Sequence, residues 1–283
     1  MKTIKLADVK EKVRLTVQEA NFIIDADLKS LVGCYRQTEK SAAGRDILDQ
    51  IVRNSEIAES EKLALCQDTG LAVFFVQMGE QVKLQYDGYE SLGQAISTGM
   101  VEGYKEGYLR KSVCDPISRT NSGDNAPAFI HWEIVPGEDF SITFMAKGGG
   151  SENMSALKMM SPSAGVKGIE DFVVETVSKA GPNPCPPTVV GVAIGGNFDT
   201  AAYLAKKALL RKPVGSPNAD PLYAEMEKRL LERLNKLGVG PMGYGGSTTV
   251  LALHIEAHPC HIASLPVAIN INCHSHRIVD IAF

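Results

Sequence analysis

The sequence predicts an α+β fold, and three observations predict it. Apolar residues recur at helical spacing from residue 6 to 60. Beyond residue 70, short β-rich runs appear among helical stretches. The order, helices first and then strands and helices mixed, differs from the regular alternation of a parallel α/β sheet. The chain of 283 residues is long enough to bury a sizeable core. No repeat, low-complexity tract or linker rich in Ser, Gly or Pro divides it. It reads as a single domain over 1–283, with a helical part at 1–60 and an α+β part at 61–283.

Leu6, Val9, Val13, Leu15 and Val17 sit among charges, and Phe22 to Val32 and Asp46 to Ile57 continue the pattern. Two or three antiparallel helices are expected there. Leu71 to Val76, ending near Gly79, reads as a buried strand, and 89–109 as a helix. Phe129 to Ile134 and Phe140 to Met145 read as strands joined by a Pro136-Gly137 turn. Lys147 to Gly150 is too glycine-rich for a regular element and is expected to be a loop. Ile169 to Ser178 is predicted helical and Thr188 to Ile194 a buried strand. Asp199 and Thr200 are placed to cap a helix over Ala201 to Leu210. Pro221 to Leu237 is a further helix, Gly238 to Gly246 a loop, and Ser247 to Ile255 and Leu265 to Ile271 strands. Pro266 puts the last at an edge or a strand start.

A formal charge of −4 gives no basic field for nucleic acid or an anionic membrane. No apolar run approaches the ~20 residues that span a bilayer. The first residues alternate acids and bases with aliphatics, unlike a secretion signal or a mitochondrial presequence, so a cytoplasmic location is expected. Cys34, Cys66, Cys114, Cys185, Cys260 and Cys273 are then reduced thiols or metal ligands rather than disulfides. The sequon at Asn153 is then a chance match.

Three of these cysteines have unusual surroundings. Cys66, in Cys66-Gln67-Asp68-Thr69-Gly70, and Cys185, between prolines, each precede a predicted strand; Cys273 follows one. Strand ends flanked by turns hold a ligand rigidly beside a cavity. On the residues alone, two readings stand: metal ligands, or simply buried thiols. No pair is spaced C-x-x-C, which disfavours a zinc ribbon or a ferredoxin-type cluster. A rival zinc site is offered by His254, His258, His261, His274 and His276 with Cys260 and Cys273, although His254-Ile255-Glu256-Ala257-His258 lacks the zincin spacing.

The set of motifs resembles the iron–sulfur hydro-lyases that include class I fumarase and L-tartrate dehydratase. The resemblance rests on Leu65 to Gly70, Leu109-Arg110, Ala146 to Asn153, Asn183 to Pro187, His261 to Ala268 and Cys273 to Arg277, in the family's order. It implies a [4Fe-4S] cluster held by Cys66, Cys185 and Cys273, with Cys260 the competitor for the third place. Three thiolates leave one iron open as a Lewis acid for the substrate hydroxyl. By the same resemblance Gln67 and Asp68 lie beside the cluster, Gln67 donating to a substrate oxygen and Asp68 moving the proton of the hydroxyl. Arg110 and His261 hold substrate carboxylates, His261 across a subunit boundary. Gly149 brings backbone N–H groups close, where a Cβ would interfere. The ordinary alternatives are a turn cap for Asp68, a solvated charge for Arg110, a flexible turn for Gly149 and a satisfied histidine for His261. His274, His276 and Arg277 are placed near the cluster by sequence, without a role.

Single-chain members of that family carry a further domain that supplies the base. The resemblance therefore implies a separate β subunit, an α2β2 assembly and a dicarboxylate substrate. The first expectation is hydration of fumarate to (S)-malate, favoured by the Lys147 block; dehydration of L-tartrate is the alternative. A reading of another class is a non-catalytic metal or redox protein.

Overall fold

The computed structural model describes residues 2–283. In chain order its elements are β1 (Thr3–Lys5), α1 (Leu6–Phe22), α2 (Ala26–Thr38), α3 (Ala42–Glu61), β2 (Leu71–Gly79), β3 (Lys83–Gln85) and α4 (Leu92–Glu106). There follow β4 (Phe129–Val135), β5 (Phe140–Lys147), α5 (Gly149–Glu152), β6 (Ala156–Met160), α6 (Gly165–Ala180) and β7 (Thr188–Gly195). The rest are α7 (Phe198–Ala208), α8 (Pro221–Asn235), β8 (Val250–His258), β9 (Leu265–Asn272) and β10 (Ile278–Ile281). The fold is α+β, with helices preceding mixed sheets, as the sequence predicts. No helix among the described residues is long and apolar enough to cross a membrane.

Two compact units interleave along the chain. One contains the residues up to Asp25, Asn54–Gly149 and Arg277–Phe283; the other contains Ala26–Arg53 and Gly150–His276.

In the first unit, Leu6, Val9, Val13, Val17 and Ala20 of α1 fall on one helical face, and all are buried. They share a core with Ile96, Met100 and Tyr104 of α4 and with Ala72, Phe74 and Val76, the alternate residues of β2. Gly99 and Gly103 let α4 approach α1. A Cβ there would stand 2.3 Å from the Lys10 carbonyl and 2.6 Å from that of Arg14. The sheet order is β10-β5-β2-β4, with β2 parallel to β4 and antiparallel to β5. The strands on either side of Pro136-Gly137 are therefore not hairpin partners, because β2 lies between them. Its apolar run suits β2 to an interior position, which β5 shares.

In the second unit the sheet order is β6-β9-β7-β8. Seven of the eight residues of β7 are buried, so it forms the core of this sheet. Val190, Val192, Ile255 and Ile269 meet α6 and α8 through Ile169, Val173, Leu230 and Leu234. On α7, Ala201 and Ala205 pack with Ala193 and Ala268. Gly191 admits the carbonyl of Ala205, which a Cβ would meet at 2.1 Å. The helix α7 begins earlier than expected. Its cap is Asn197, whose side chain accepts the Thr200 N–H, rather than Asp199 or Thr200. Strand β6 was not predicted; Ala156–Met160 has no β-branched residue and becomes a strand by pairing with β9. The expected Lys147–Gly150 loop divides otherwise. Lys147 ends β5, and Gly149–Glu152 form one helical turn. Pro266 stands opposite Met159 of β6, and the pairing with β7 begins only at Val267, so it occupies a strand start.

Two buried groups in this unit set its acid response. Glu39 is 2% exposed. Burial raises its pKa, but the Thr248 hydroxyl and the Ser41 and Ser247 groups lower it further, to about 2 against an ordinary 4.5. His254 accepts the Gly215 N–H at Nε2 and donates from Nδ1 to the Ala208 carbonyl. Burial, with Arg211 nearby, pushes its pKa down to about 4. Both folded pKa values lie below the unfolded ones, so the unfolded chain binds more protons and stability falls with acid. The His254 contribution is lost as pH falls from about 6.5 to 4, and that of Glu39 from about 4.5 to 2. Glu39→Gln is expected to lower stability at pH 7 by about 3 kcal/mol and to flatten the lower of the two acid limbs in denaturant titrations.

Candidate functional site

The first unit presents Cys66, Gln67 and Asp68 in a turn just ahead of β2. Leu65 donates its N–H to the Asn21 carbonyl at 2.8 Å, and its own carbonyl accepts from Asn54 Nδ2 at 3.0 Å. The turn is thus tied down before it reaches the cysteine. Cys66 is half-buried and free, and its Sγ accepts the Asp68 N–H at 3.4 Å. Gln67 is exposed, with Oε1 3.5 Å from the same sulfur.

Asp68 faces two backbone donors. Oδ1 accepts the Gly70 N–H at 3.0 Å and Oδ2 the Gly149 N–H at 2.7 Å. The N–H of Gly149 is therefore committed to Asp68 rather than left open for a ligand. Gly70 is required here. Its φ is +78°, and a Cβ would stand 2.8 Å from the Lys147 carbonyl carbon.

A buried network that the sequence reading missed fixes this turn against the Arg110 segment. The Thr69 hydroxyl donates to the Arg110 carbonyl at 2.6 Å, and the Tyr104 hydroxyl is shared between the carbonyls of Thr69 (2.8 Å) and Gly70 (3.2 Å). Burial pushes the Tyr104 phenol well above its ordinary pKa, keeping it neutral and a donor. Asn125 accepts the N–H groups of Ser112 and Val113 at Oδ1 and donates from Nδ2 to the Gly70 carbonyl. Its φ is +68°, which asparagine tolerates better than most residues. The side chain of Arg110 is exposed at the end of this segment. Asn125→Ala leaves the half-buried N–H groups of Ser112 and Val113 without their acceptor, while the Gly70 carbonyl keeps Tyr104, and is expected to lower stability by about 2 kcal/mol, read as the shift of the urea midpoint. In sequence, the only signal for these residues is the turn-rich stretch Asn121 to Pro127.

The second unit brings Cys185 and Cys273 together. Antiparallel pairing of β7 and β9, with Val189 opposite Asn272, puts both cysteines at one end of the sheet. The Cys185 carbonyl accepts the His274 N–H at 3.4 Å and lies 3.0 Å from His274 Nδ1. Cys185 has φ +55°, in a turn closed by its N–H on the Pro182 carbonyl. Cys273 Sγ lies 3.0 Å from the Ser275 hydroxyl. Both thiols are half-buried, and neither is in a disulfide.

His261 and Cys260 lie beyond the other end of β9. The eight residues of that strand separate them from Cys273, about 25 Å at the rise of an extended chain. Cys260 is exposed, and its thiol donates to the Ser264 carbonyl. It does not join Cys185, whereas Cys273 lies at the same end of the sheet as Cys185.

The zinc alternative finds no support. His254 has both ring nitrogens engaged, and His276 Nδ1 faces Asn272 Nδ2 at 3.1 Å. Among the described residues no three His, Cys, Asp or Glu side chains gather as a single-ion site. A cubane spreads its thiolate ligands over separate corners, so it does not require such convergence. The donor set fits one. Backbone N–H or hydroxyl groups lie against Cys66 and Cys273 Sγ, contacts that stabilise a thiolate and tune an iron–sulfur centre.

Comparison with known proteins gives the family of the chain. The chain is 42% identical over 280 residues to the "Putative L(+)-tartrate dehydratase subunit alpha" of Methanocaldococcus jannaschii, covering 97% of this chain and 96% of that protein. It is 36% identical over 246 residues to the L(+)-tartrate dehydratase subunit alpha of Escherichia coli, covering 86% and 80%. A family model described as fumarate hydratase (Fumerase) matches residues 10–282. The chain belongs to the fumarate hydratase (Fumerase) family of hydro-lyases.

Proposed function

We propose that this chain is the α subunit of an iron–sulfur hydro-lyase that eliminates water from a four-carbon hydroxy-dicarboxylate, or adds it back. The observation that carries the reading is Asp68: a carboxylate fixed by two backbone N–H groups, two residues from a thiol that accepts its own N–H. Such a group can take or return a proton beside a metal ligand without moving.

Cys66, Cys185 and Cys273 are the residues that hold the [4Fe-4S] cluster. When bound, the cluster supplies a Lewis-acidic iron for the substrate hydroxyl. Asp68 moves the proton at the hydroxyl oxygen. The Gln67 amide donates to a substrate oxygen, and the Arg110 guanidinium clamps a carboxylate. Gly149 anchors Asp68. His261, at the far end of β9, serves a second copy's site, which accords with an α2β2 assembly. A separate β subunit, supported by the "subunit alpha" names of both relatives, supplies the base that takes the carbon-bound proton.

The relatives' names favour L(+)-tartrate as substrate over the fumarate first expected. Fumarate and (S)-malate form the second reading, favoured by the description of the family model and by the Ala146 to Asn153 block. The test is anaerobic co-production with a candidate β chain, with L(+)-tartrate and fumarate assayed side by side. Turnover of one over the other by about a hundredfold, a difference of ~2.7 kcal/mol in the barrier, assigns the substrate. The α chain alone is expected to turn over neither. An assembled α/β complex that binds no iron and turns over neither substrate overturns the proposal.

A further inference from the structure

Arg277 is a buried cation with few partners. It is 3% exposed. Its Nη1 donates to Asn21 Oδ1 at 2.9 Å, and its Nε is buried without a partner among the described residues. No carboxylate pairs with it there. A guanidinium taken out of water without a direct ion pair is unfavourable, so its retention needs a reason beyond packing.

Its surroundings supply one. Asn21, held by its own Nδ2 on the Val17 carbonyl, is the residue whose backbone carbonyl ties down Leu65 and thus the entry to the Cys66–Gly70 turn. On the other side lies the Gly148–Gly149 turn. A Cβ on Gly148 would be 3.5 Å from Arg277 Nη2 and 3.2 Å from Asp68 Oδ2. The Arg277 carbonyl accepts the Ala146 N–H, which fixes the guanidinium against the residues leading into that turn. One side chain thus stands behind both turns that meet at Asp68.

We infer that Arg277 is a positioning residue of the hydro-lyase site. Through Asn21 and against Gly148 it holds the Cys66–Gly70 and Gly148–Gly149 turns in register, so that Asp68 keeps both its backbone donors. Its charge also offsets the negative charge that three thiolates and a dicarboxylate bring to the site. This second role rests on the functional reading above, whereas the first stands on the geometry alone.

The test uses Arg277→Met and Arg277→Lys in the full chain. Lysine keeps the charge but cannot reach two directions from a planar fork. Amide hydrogen exchange of the purified chain is expected to accelerate about tenfold or more in R277M at residues 66–70 and 148–149, with the rest of the first unit unchanged. R277K is expected to be intermediate. In the anaerobic α/β enzyme, R277M is expected to lower kcat about 10- to 100-fold, with iron retained and KM within about twofold of wild type. Unchanged exchange in the two turns, or an equal acceleration throughout the unit with a falling Tm, overturns the inference. If the wild-type complex proves to have neither iron nor activity, the functional reading fails, and the exchange measurement still decides the positioning role.

Discussion

Serine in place of Cys66, Cys185 or Cys273 is expected to abolish turnover in the anaerobically assembled enzyme. The fall should be about a thousandfold or more, because Lewis-acid stabilisation worth several kcal/mol disappears with the metal. Iron per chain should fall with it. Serine at Cys34, Cys114 or Cys260 is expected to leave both quantities close to wild type. Cys260 carries the sharpest contrast. It lies closer to Cys273 in sequence than any other cysteine, yet β9 holds the two at opposite ends, and its thiol is spent on the Ser264 carbonyl. Iron lost on Cys260→Ser but kept on Cys273→Ser would reverse the ligand assignment. Iron analysis of the six variants beside their rates separates the outcomes.

Asp68→Asn is expected to lower kcat by about 100- to 10,000-fold, the range spanned by loss of a positioned acid–base group. The substitution changes no volume, so the effect is chemical. An amide has one acceptor oxygen, whereas the carboxylate serves the N–H of Gly70 and that of Gly149 at once. One of those donors is left facing an NH2 group. A local stability loss of about 1–2 kcal/mol accompanies the fall in rate. Iron content should be retained, since the cysteines are untouched. If D68N keeps kcat within about tenfold of wild type, Asp68 is a turn cap and no more.

The long, strongly patterned elements were legible in sequence. The faces of α1, the buried run of β2 and the apolar β7 each follow from residue spacing. The parts that failed were decided at a distance. Ala156–Met160 is made of good helix formers, yet it takes the strand state from pairing with β9. That β2 lies between β4 and β5 follows from which strand is apolar enough to be flanked on both sides, not from the Pro136-Gly137 turn that joins them in sequence. Gly149 read as part of a loop because glycine weakens helices, yet a single turn forms there with its N–H on Asp68.

The site was legible to a similar degree. Asp68 and Gly149 were both named as candidates, and the structure joins them. The residues that hold them, Asn21, Tyr104, Asn125 and Arg277, are scattered across the chain, and nothing in their spacing shows that they meet. Arg277 could be named from its motif but given no role, because its distinguishing property, burial without a direct ion pair, exists only in three dimensions. The choice between tartrate and fumarate was not readable from the Lys147 block, and the named relatives moved it away from the first expectation.

Strand β10 has a consequence for how the protein is made. It pairs with β5, Ile278 opposite Met145, and completes a sheet whose other strands are translated more than a hundred positions earlier. On the ribosome, residues 150–276 emerge while that sheet still lacks its margin and Arg277 has not been synthesised. The later-encoded unit, whose borrowed segment Ala26–Arg53 is already translated, can therefore close first. The earlier one waits with an unpaired β5 edge, a period in which a nascent chain is open to chaperones and to mispairing.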